Sequence, residues 1–65
     1  MLNTNDTVVQ ADGSELVVTA IRNGGVYVVS AKTIDASGAA AGAERFLGSV
    51  EEVENGEKGT VYAAQ

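Results

Sequence analysis

The fold of this chain is decided by the stretch from Glu15 to Lys32, which reads ELVVTAIRNGGVYVVSAK. Two runs of mainly β-branched and apolar residues, 16–21 and 26–31, flank the segment Asn23-Gly24-Gly25. Asn-Gly between two such runs is a strong short-range signal of a β-hairpin, because both turn positions must tolerate a positive φ. The sequence therefore predicts a β-hairpin at the centre of the domain.

The turn also predicts the register of this hairpin. If Asn23-Gly24 is a two-residue loop, the opposed pairs are Ile21–Val26, Ala20–Tyr27, Val18–Val29, Leu16–Ala31 and Glu15–Lys32. One face then holds Leu16, Val18, Ala20, Tyr27, Val29 and Ala31. The other face holds Val17, Thr19, Ile21, Val26 and Val28, which is too apolar for a sheet surface that faces water.

Two explanations are open for that second apolar face. Either the sheet curls and later strands of the chain cover part of it, or another subunit covers it. The second explanation predicts a partner interface formed by Val17, Thr19, Ile21, Val26 and Val28. The charges at its rim would be Arg22, Lys32 and Arg45, which would set the register by pairing with charges of the partner.

The flanking segments predict further β-structure. Residues 7–10 form a short first strand, and a hairpin at Asp12-Gly13 would set two opposed pairs, Val9–Leu16 and Thr7–Val18. The polar residues 1–6 are expected to be a loose arm. The Ala- and Gly-rich segment 34–43 is expected to be a flexible loop between strands, and residues 60–63 a last strand.

Residues 43–54 allow two interpretations. Ser49 followed by Glu52 is a capping-box pattern, which predicts a strand at 44–47 and then one helical turn at 50–54. The alternative is a single helix over 43–54, since Phe46, Leu47, Val50 and Val53 also fit helical spacing. Gly48 counts against the single helix, because glycine costs about 1 kcal/mol relative to alanine in a helix interior.

The composition bounds the chemistry of the chain. Its 65 residues make one small β domain, residues 1–65, of a size at which burial only just outweighs the entropy of ordering. It has no cysteine, which excludes disulfides and thiolate metal sites, and no histidine, the commonest zinc ligand and general base. Residues 12–15 lack the alternating acids of an EF-hand calcium loop. We therefore expect no enzymatic activity, no cofactor and no bound metal.

The charge pattern narrows the class of partner. Nine acidic and four scattered basic residues give a net charge of −5. A phosphate-binding surface needs clustered Lys and Arg, so we expect neither nucleic acid nor an anionic membrane as a direct partner. No apolar run approaches the ~20 residues that span a bilayer, and residues 1–6 lack the features of a signal peptide. We expect a cytoplasmic protein, or a virion protein if the chain is phage-encoded, with a solvated acidic face of Glu51, Glu52, Glu54 and Glu57.

The predicted order is three meandering strands, a longer loop, a fourth strand, a helical turn near residues 50–54 and a fifth strand. This order resembles that of the SH3-like small β-barrels, in particular the KOW and Tudor-type members. The residues that carry the resemblance are Asp6-Thr7-Val8-Val9 with Asp12-Gly13, then Tyr27-Val28-Val29, Phe46 and Ser49-Val50-Glu51-Glu52-Val53. It spans most of the chain and implies an all-β, five-stranded barrel or meander that acts as a binding or assembly module. The nucleic-acid-binding members have basic loops and the methyl-lysine readers an aromatic cage, whereas these loops are acidic and the chain has three aromatic residues.

Two functions from different classes follow from these observations. The first is a non-catalytic structural or interaction module that packs into a larger protein assembly, by self-association or with other proteins. The composition is typical of bacteriophage virion components, such as head decoration proteins or connector and tail accessories, which are often short, cysteine-free and rich in Val, Ala, Gly and Thr. The alternative is an acidic regulator or inhibitor that occupies a basic cleft of a nucleic-acid-binding protein.

Overall fold

A single antiparallel sheet of five strands dominates the computed structural model, which describes residues 1–37 and 42–64. The strands are β1 (Thr7–Val9), β2 (Glu15–Arg22), β3 (Gly25–Ser30), β4 (Arg45–Ser49) and β5 (Thr60–Tyr62). Their order in the sheet is β4-β3-β2-β1-β5, so β4 and β5 are its edges and the described part of the chain does not close into a barrel. A 3-10 helix, Ala31–Thr33, follows β3, and one short helix, α1 (Val50–Glu54), lies between β4 and β5. The predicted all-β class with five strands and a helical turn at 50–54 is confirmed.

The β2–β3 hairpin has the predicted register only next to its turn. Asn23 and Gly24 both have positive φ, and Ile21 lies opposite Val26 as predicted. A β-bulge at Thr19 then shifts the register by one residue. The pairs beyond the bulge are therefore Val18–Val28, Val17–Val29 and Leu16–Ser30. The predicted pairs Val18–Val29, Leu16–Ala31 and Glu15–Lys32 are wrong.

The bulge changes which side chains share a face. Because successive strand residues point to opposite sides, a shift of one residue exchanges the faces of everything beyond it. Val26 and Val28 now lie on the same side as Leu16 and Val18, where the side chains of Leu47 and Val53 join them in the core. The resulting core consists of Leu2, Val8, Leu16, Val18, Val26, Val28, Leu47 and Val53.

The structure places only part of the predicted partner interface outside the core of the chain. Val26 and Val28 have no exposed surface and belong to the chain's own core, and Ile21 packs against that core. Only Val17 and Thr19 lie outside it. For Val26 and Val28 the first of the two explanations therefore applies, because later elements of the chain itself cover them.

The turn between β1 and β2 is longer than predicted. Val8 lies opposite Leu16 and Val9 opposite Glu15, so the predicted pairs Val9–Leu16 and Thr7–Val18 are wrong by one residue. The loop spans residues 10–14 and is closed by a hydrogen bond from the Gln10 amide to the Ser14 carbonyl at 2.9 Å. This register buries Val8 completely in the core and leaves Val9 half-buried.

The N-terminal segment is attached to the domain, and the prediction of a loose arm is wrong. Leu2 is buried in the core, and its amide donates a hydrogen bond to Glu54 Oε2 at 2.8 Å. The Asn5 amide donates to the Val18 carbonyl at 2.7 Å. The physical reason is that Leu2 adds apolar area to a core with few residues, and the polar residues around it find hydrogen-bond partners.

The strand-then-helix interpretation of residues 43–54 is confirmed, and the single helix is excluded. β4 runs to Ser49, which is the N-cap of α1. The Ser49 hydroxyl accepts from the Glu52 amide at 3.1 Å, and Glu52 Oε1 accepts from the Ser49 amide at 3.0 Å, which completes the capping box. Val53 of α1 is fully buried under the sheet. The predicted flexible loop at 34–43 falls partly on residues 38–41, which lie outside the described residues.

Candidate protein-interaction face

The side of the sheet opposite the core is called here the outer face. Its members follow from the register, because directly opposed residues of antiparallel strands point to the same side. Thr7 lies opposite both Val17 and Tyr62, and Tyr27 lies opposite both Ala20 and Phe46. The outer face therefore extends over all five strands and consists of Thr7, Val17, Ala20, Tyr27, Val29, Phe46 and Tyr62, of which Val29 is buried.

All three aromatic residues of the chain lie on this face. Phe46 is 59% exposed and Tyr62 is 57% exposed, whereas Tyr27 is half-buried. The core contains valine and leucine side chains and no aromatic residue. A small domain that places its largest apolar side chains on the surface loses the burial that they could provide. A contiguous exposed apolar patch on a protein surface is typical of an interaction site.

Two of the aromatic rings form a defined cluster with a cation. The rings of Phe46 and Tyr27 meet edge to face, with centroids 5.6 Å apart and planes at 66°. The guanidinium carbon of Arg22 lies 4.3 Å from the centroid of the Tyr27 ring, which is a cation–π contact. The cluster of Arg22, Tyr27 and Phe46 therefore joins the turn end of the β2–β3 hairpin to the edge strand β4.

Arg22 is held in place by Glu44 and Thr19. Arg22 Nη2 donates to Glu44 Oε1 at 2.6 Å, and Thr19 Oγ1 donates to Glu44 Oε2 at 2.7 Å. The Thr19 hydroxyl, with help from Arg22, holds the pKa of Glu44 below its usual value, and Glu44 in turn raises the pKa of Arg22. Because the guanidinium is already oriented, a partner that contacts it would immobilise little additional side chain.

The other two predicted rim charges lie elsewhere. Arg45 is opposite Val28 and so is on the core side of β4, and Lys32 lies in the 3-10 helix. Both line a cleft at the end of the sheet, together with the turn between β1 and β2. Of the three predicted rim charges, the structure therefore places only Arg22 beside the outer face.

In the predicted acidic face, two of the four carboxylates accept hydrogen bonds within the domain and the other two are exposed. Glu52 belongs to the capping box, and the Ser49 amide together with the charge of Lys58 lowers its pKa. Glu54 accepts the hydrogen bond from the Leu2 amide. Glu51 and Glu57 are exposed. Two of the four carboxylates thus have structural roles.

Sequence reasoning did not select the aromatic residues as a site. The preferred interpretation places Phe46 in a strand, with a helix as the alternative, and the predicted register places Tyr27 on the same face as Leu16 and Val18. The composition of the predicted strands could have indicated this site, because valine and leucine alone supply enough apolar residues for a core of this size. With the core filled by aliphatic residues, the three aromatic residues are left for the surface.

Comparison of the chain with protein-family models, with curated proteins and with solved structures gives no match. Within residues 1–37 and 42–64, no helix has the length and apolar character to cross a membrane. The same ranges contain no group of three or more metal-ligating side chains. The outer face is therefore assigned from its own geometry.

Proposed function

We propose that this chain is a non-catalytic interaction module that packs into a larger protein assembly through its outer face. The observation that carries the proposal is the placement of all three aromatic residues of the chain on that face, with none in the core. Aromatic residues and arginine dominate the binding energy of protein interfaces. The resemblance to SH3-like barrels implies the same class of role.

The cluster around Tyr27 has the properties of an interface anchor. Phe46 offers a largely exposed ring that is already fixed against Tyr27, and Arg22 is oriented by its ion pair with Glu44. A partner that covers these groups gains aromatic burial while ordering few side chains. The anchor lies next to the edge strand β4, and an unpaired edge of this kind is itself a surface for association.

A second copy of the chain is the partner that fits this face best. The molecule measures 30 × 26 Å across its two longest axes. A standard stable interface buries about 800 Å² on each partner, which is close to one broad side of a molecule of this size. A partner that repeats the same aromatic face can cover it completely, and a two-fold interface uses one patch on both subunits.

The finer proposal is a structural subunit of a bacteriophage particle, as a head decoration protein or a connector or tail accessory. It is supported by the short, cysteine-free sequence rich in Val, Ala, Gly and Thr. The alternative, an acidic regulator that occupies a basic cleft, has less support. Of its four carboxylates, Glu52 and Glu54 are engaged within the domain.

The experiment is the molar mass in solution over a concentration series, for the native chain and for Phe46→Ser. We expect the native chain to associate with increasing concentration. Loss of a central aromatic anchor costs about 2 kcal/mol or more, so Phe46→Ser should weaken the association at least ~30-fold. Phe46 is a better probe than Ile21, because Ile21 packs against the core and its substitution would destabilise the fold.

Tyr62→Ser is the matched control, because Tyr62 is equally exposed but lies at the other edge of the sheet, away from the Tyr27 cluster. We expect its effect on association to be smaller than that of Phe46→Ser. The circular dichroism spectra of both variants should match that of the native chain. A native chain that stays monomeric throughout the series would refute self-assembly, and equal effects of the two substitutions would refute the anchor.

A further inference from the structure

The chain contains two Asn-Gly sequences, Asn23-Gly24 and Asn55-Gly56, and all four residues are exposed. Asparagine followed by glycine is prone to spontaneous deamidation, because glycine has no side chain to hinder attack by its backbone nitrogen on the asparagine side chain. The reaction needs that nitrogen free of a hydrogen bond, and it needs rotation of the asparagine backbone. The surrounding structure therefore decides which of the two asparagines reacts.

Asn23 and Gly24 are the two loop residues of the β2–β3 hairpin. Arg22 and Gly25 on either side lie opposite each other, and the two loop residues have φ angles of 50° and 74°. The hydrogen bond that closes such a turn uses the amide of its fourth residue, so the amide of the third residue is left over. Accordingly, neither the Gly24 amide nor the Asn23 side chain has a hydrogen-bond partner among residues 1–37 and 42–64. The attacking nitrogen and its target are both open to water.

The second Asn-Gly sequence is held by backbone hydrogen bonds at the end of α1. Asn55 is the C-cap, and its amide donates to the Glu51 carbonyl at 3.0 Å. The Gly56 amide, which would supply the attacking nitrogen, donates to the Val53 carbonyl at 3.1 Å. The Gly56 carbonyl in turn accepts from the Gly59 amide at 3.3 Å. Reaction at Asn55 therefore requires that the end of the helix first opens.

We propose that Asn23 is a site of spontaneous deamidation in the folded protein and that the end of α1 protects Asn55. The Gly24 nitrogen gives up its proton to water and forms a bond to Asn23 Cγ. The Cγ–Nδ2 bond breaks, and Nδ2 takes up a proton and leaves as ammonia. Water then opens the resulting five-membered succinimide at one of its two carbonyls, which gives aspartate or isoaspartate. Water is the only co-reactant, and the site does not depend on the proposed assembly role.

Deamidation of Asn23 changes the hairpin in two ways. Both products place a carboxylate next to Arg22, which pairs with Glu44. In isoaspartate the main chain also runs through Cβ, so one additional backbone atom enters a two-residue turn and displaces the hydrogen bond from the Val50 amide to the Gly24 carbonyl, 2.8 Å long. The isoaspartate form, separated by ion exchange, should therefore have a Tm lower by about 4–8 °C, the shift for loss of one hydrogen bond in a domain of this size.

The test is incubation of the folded chain in mildly alkaline buffer, followed by tryptic peptide mapping with mass spectrometry. Trypsin cleaves after the basic residues, which places the two asparagines on separate peptides, 23–32 and 46–58, neither of which contains another asparagine. We expect peptide 23–32 to deamidate at least about fivefold faster than peptide 46–58, because one hydrogen bond of ordinary strength lowers the population of the free amide by about that factor. A sample digested before incubation corrects for reaction during digestion.

The chain unfolded in guanidinium chloride is the control, because both asparagines then precede a glycine without any protecting hydrogen bond, and the two rates should become similar. Asn23→Asp, which tolerates the positive φ, should remove most of the ammonia released by the folded chain, whereas the matched variant Asn55→Asp should leave it unchanged. Equal rates of the two peptides in the folded chain, or a faster reaction of peptide 46–58, would overturn the proposal. A rate difference that persists in the unfolded chain would also overturn it, because the structure would then not be the cause.

Discussion

The carboxylate of Asp6 joins the two ends of the chain. Asp6 is 3% exposed, and its Oδ2 accepts from the Asn3 amide at 2.9 Å while its Oδ1 accepts from the Ala64 amide at 3.0 Å. Its own carbonyl accepts from the Val18 amide at 2.9 Å. The substitution Asp6→Asn keeps the shape of the side chain and the backbone bond but replaces one acceptor oxygen by a donor NH₂.

The loss of stability expected in Asp6→Asn follows from these hydrogen bonds. Hydrogen bonds to charged groups contribute about 1.5–3 kcal/mol each, and a buried donor without a partner costs about 1–3 kcal/mol. In Asp6→Asn one bond becomes neutral, and one amide, of Asn3 or Ala64, faces another donor. We expect the free energy of unfolding to fall by about 2–4 kcal/mol. A domain of this size has only about 3–5 kcal/mol in total, so the variant should be close to unfolding.

The assay is urea unfolding followed by circular dichroism, with thermal unfolding beside it. The urea midpoint should fall with an unchanged m-value, and Tm should fall by at least about 10 °C. Asp12→Asn is the matched control, because it makes the same charge change at an exposed turn residue that accepts the Ser14 amide. It should lower the urea midpoint much less than Asp6→Asn does, because surface substitutions change stability little. Equal losses in the two variants would refute the reasoning that burial makes the Asp6 contacts strong.

Two smaller predictions concern single contacts. Ser49→Ala removes the N-cap of α1 and should destabilise the domain by about 1 kcal/mol in urea unfolding, whereas Ser49→Asp should retain most of the stability; an alanine variant as stable as the native chain would contradict this. Thr19→Val should raise the pKa of Glu44 toward its ordinary value, and Arg22→Gln should raise it less, as measured by NMR titration of the carboxyl group. Because the folded-state pKa of Glu44 is lowered, its contribution to stability is present above the unfolded-state pKa and is lost as the pH falls through the folded-state pKa. An unchanged Glu44 titration in Thr19→Val would exclude the hydroxyl as the main cause.

The features that the sequence predicted correctly are those encoded within a few residues. Asn23-Gly24 supplies the positive φ values that a tight turn needs. Ser49 and Glu52 satisfy each other's backbone amides across one helical turn, which separates β4 from α1. The β-branched runs favour strands wherever they pack. Together these local signals were sufficient for the all-β class and the order of elements.

The distribution of side chains between core and surface was decided by the tertiary structure. A strand has a period of two, so the single bulge at Thr19 moved Val26 and Val28 to the same side as Val18, and nothing local to Thr19 specifies that bulge. The place of Leu2 in the core depends on contacts with residues that are distant in sequence, as its hydrogen bond to Glu54 illustrates.

The candidate interaction face depends on the tertiary structure for the same reason. Phe46 and Tyr27 meet only where β4 pairs with β3. By itself the sequence determined the strands, the turns and the helix cap, because each depends on neighbouring residues. The faces, the core and the sites were decided by long-range pairing, because only contacts between distant strands fix which side each residue faces.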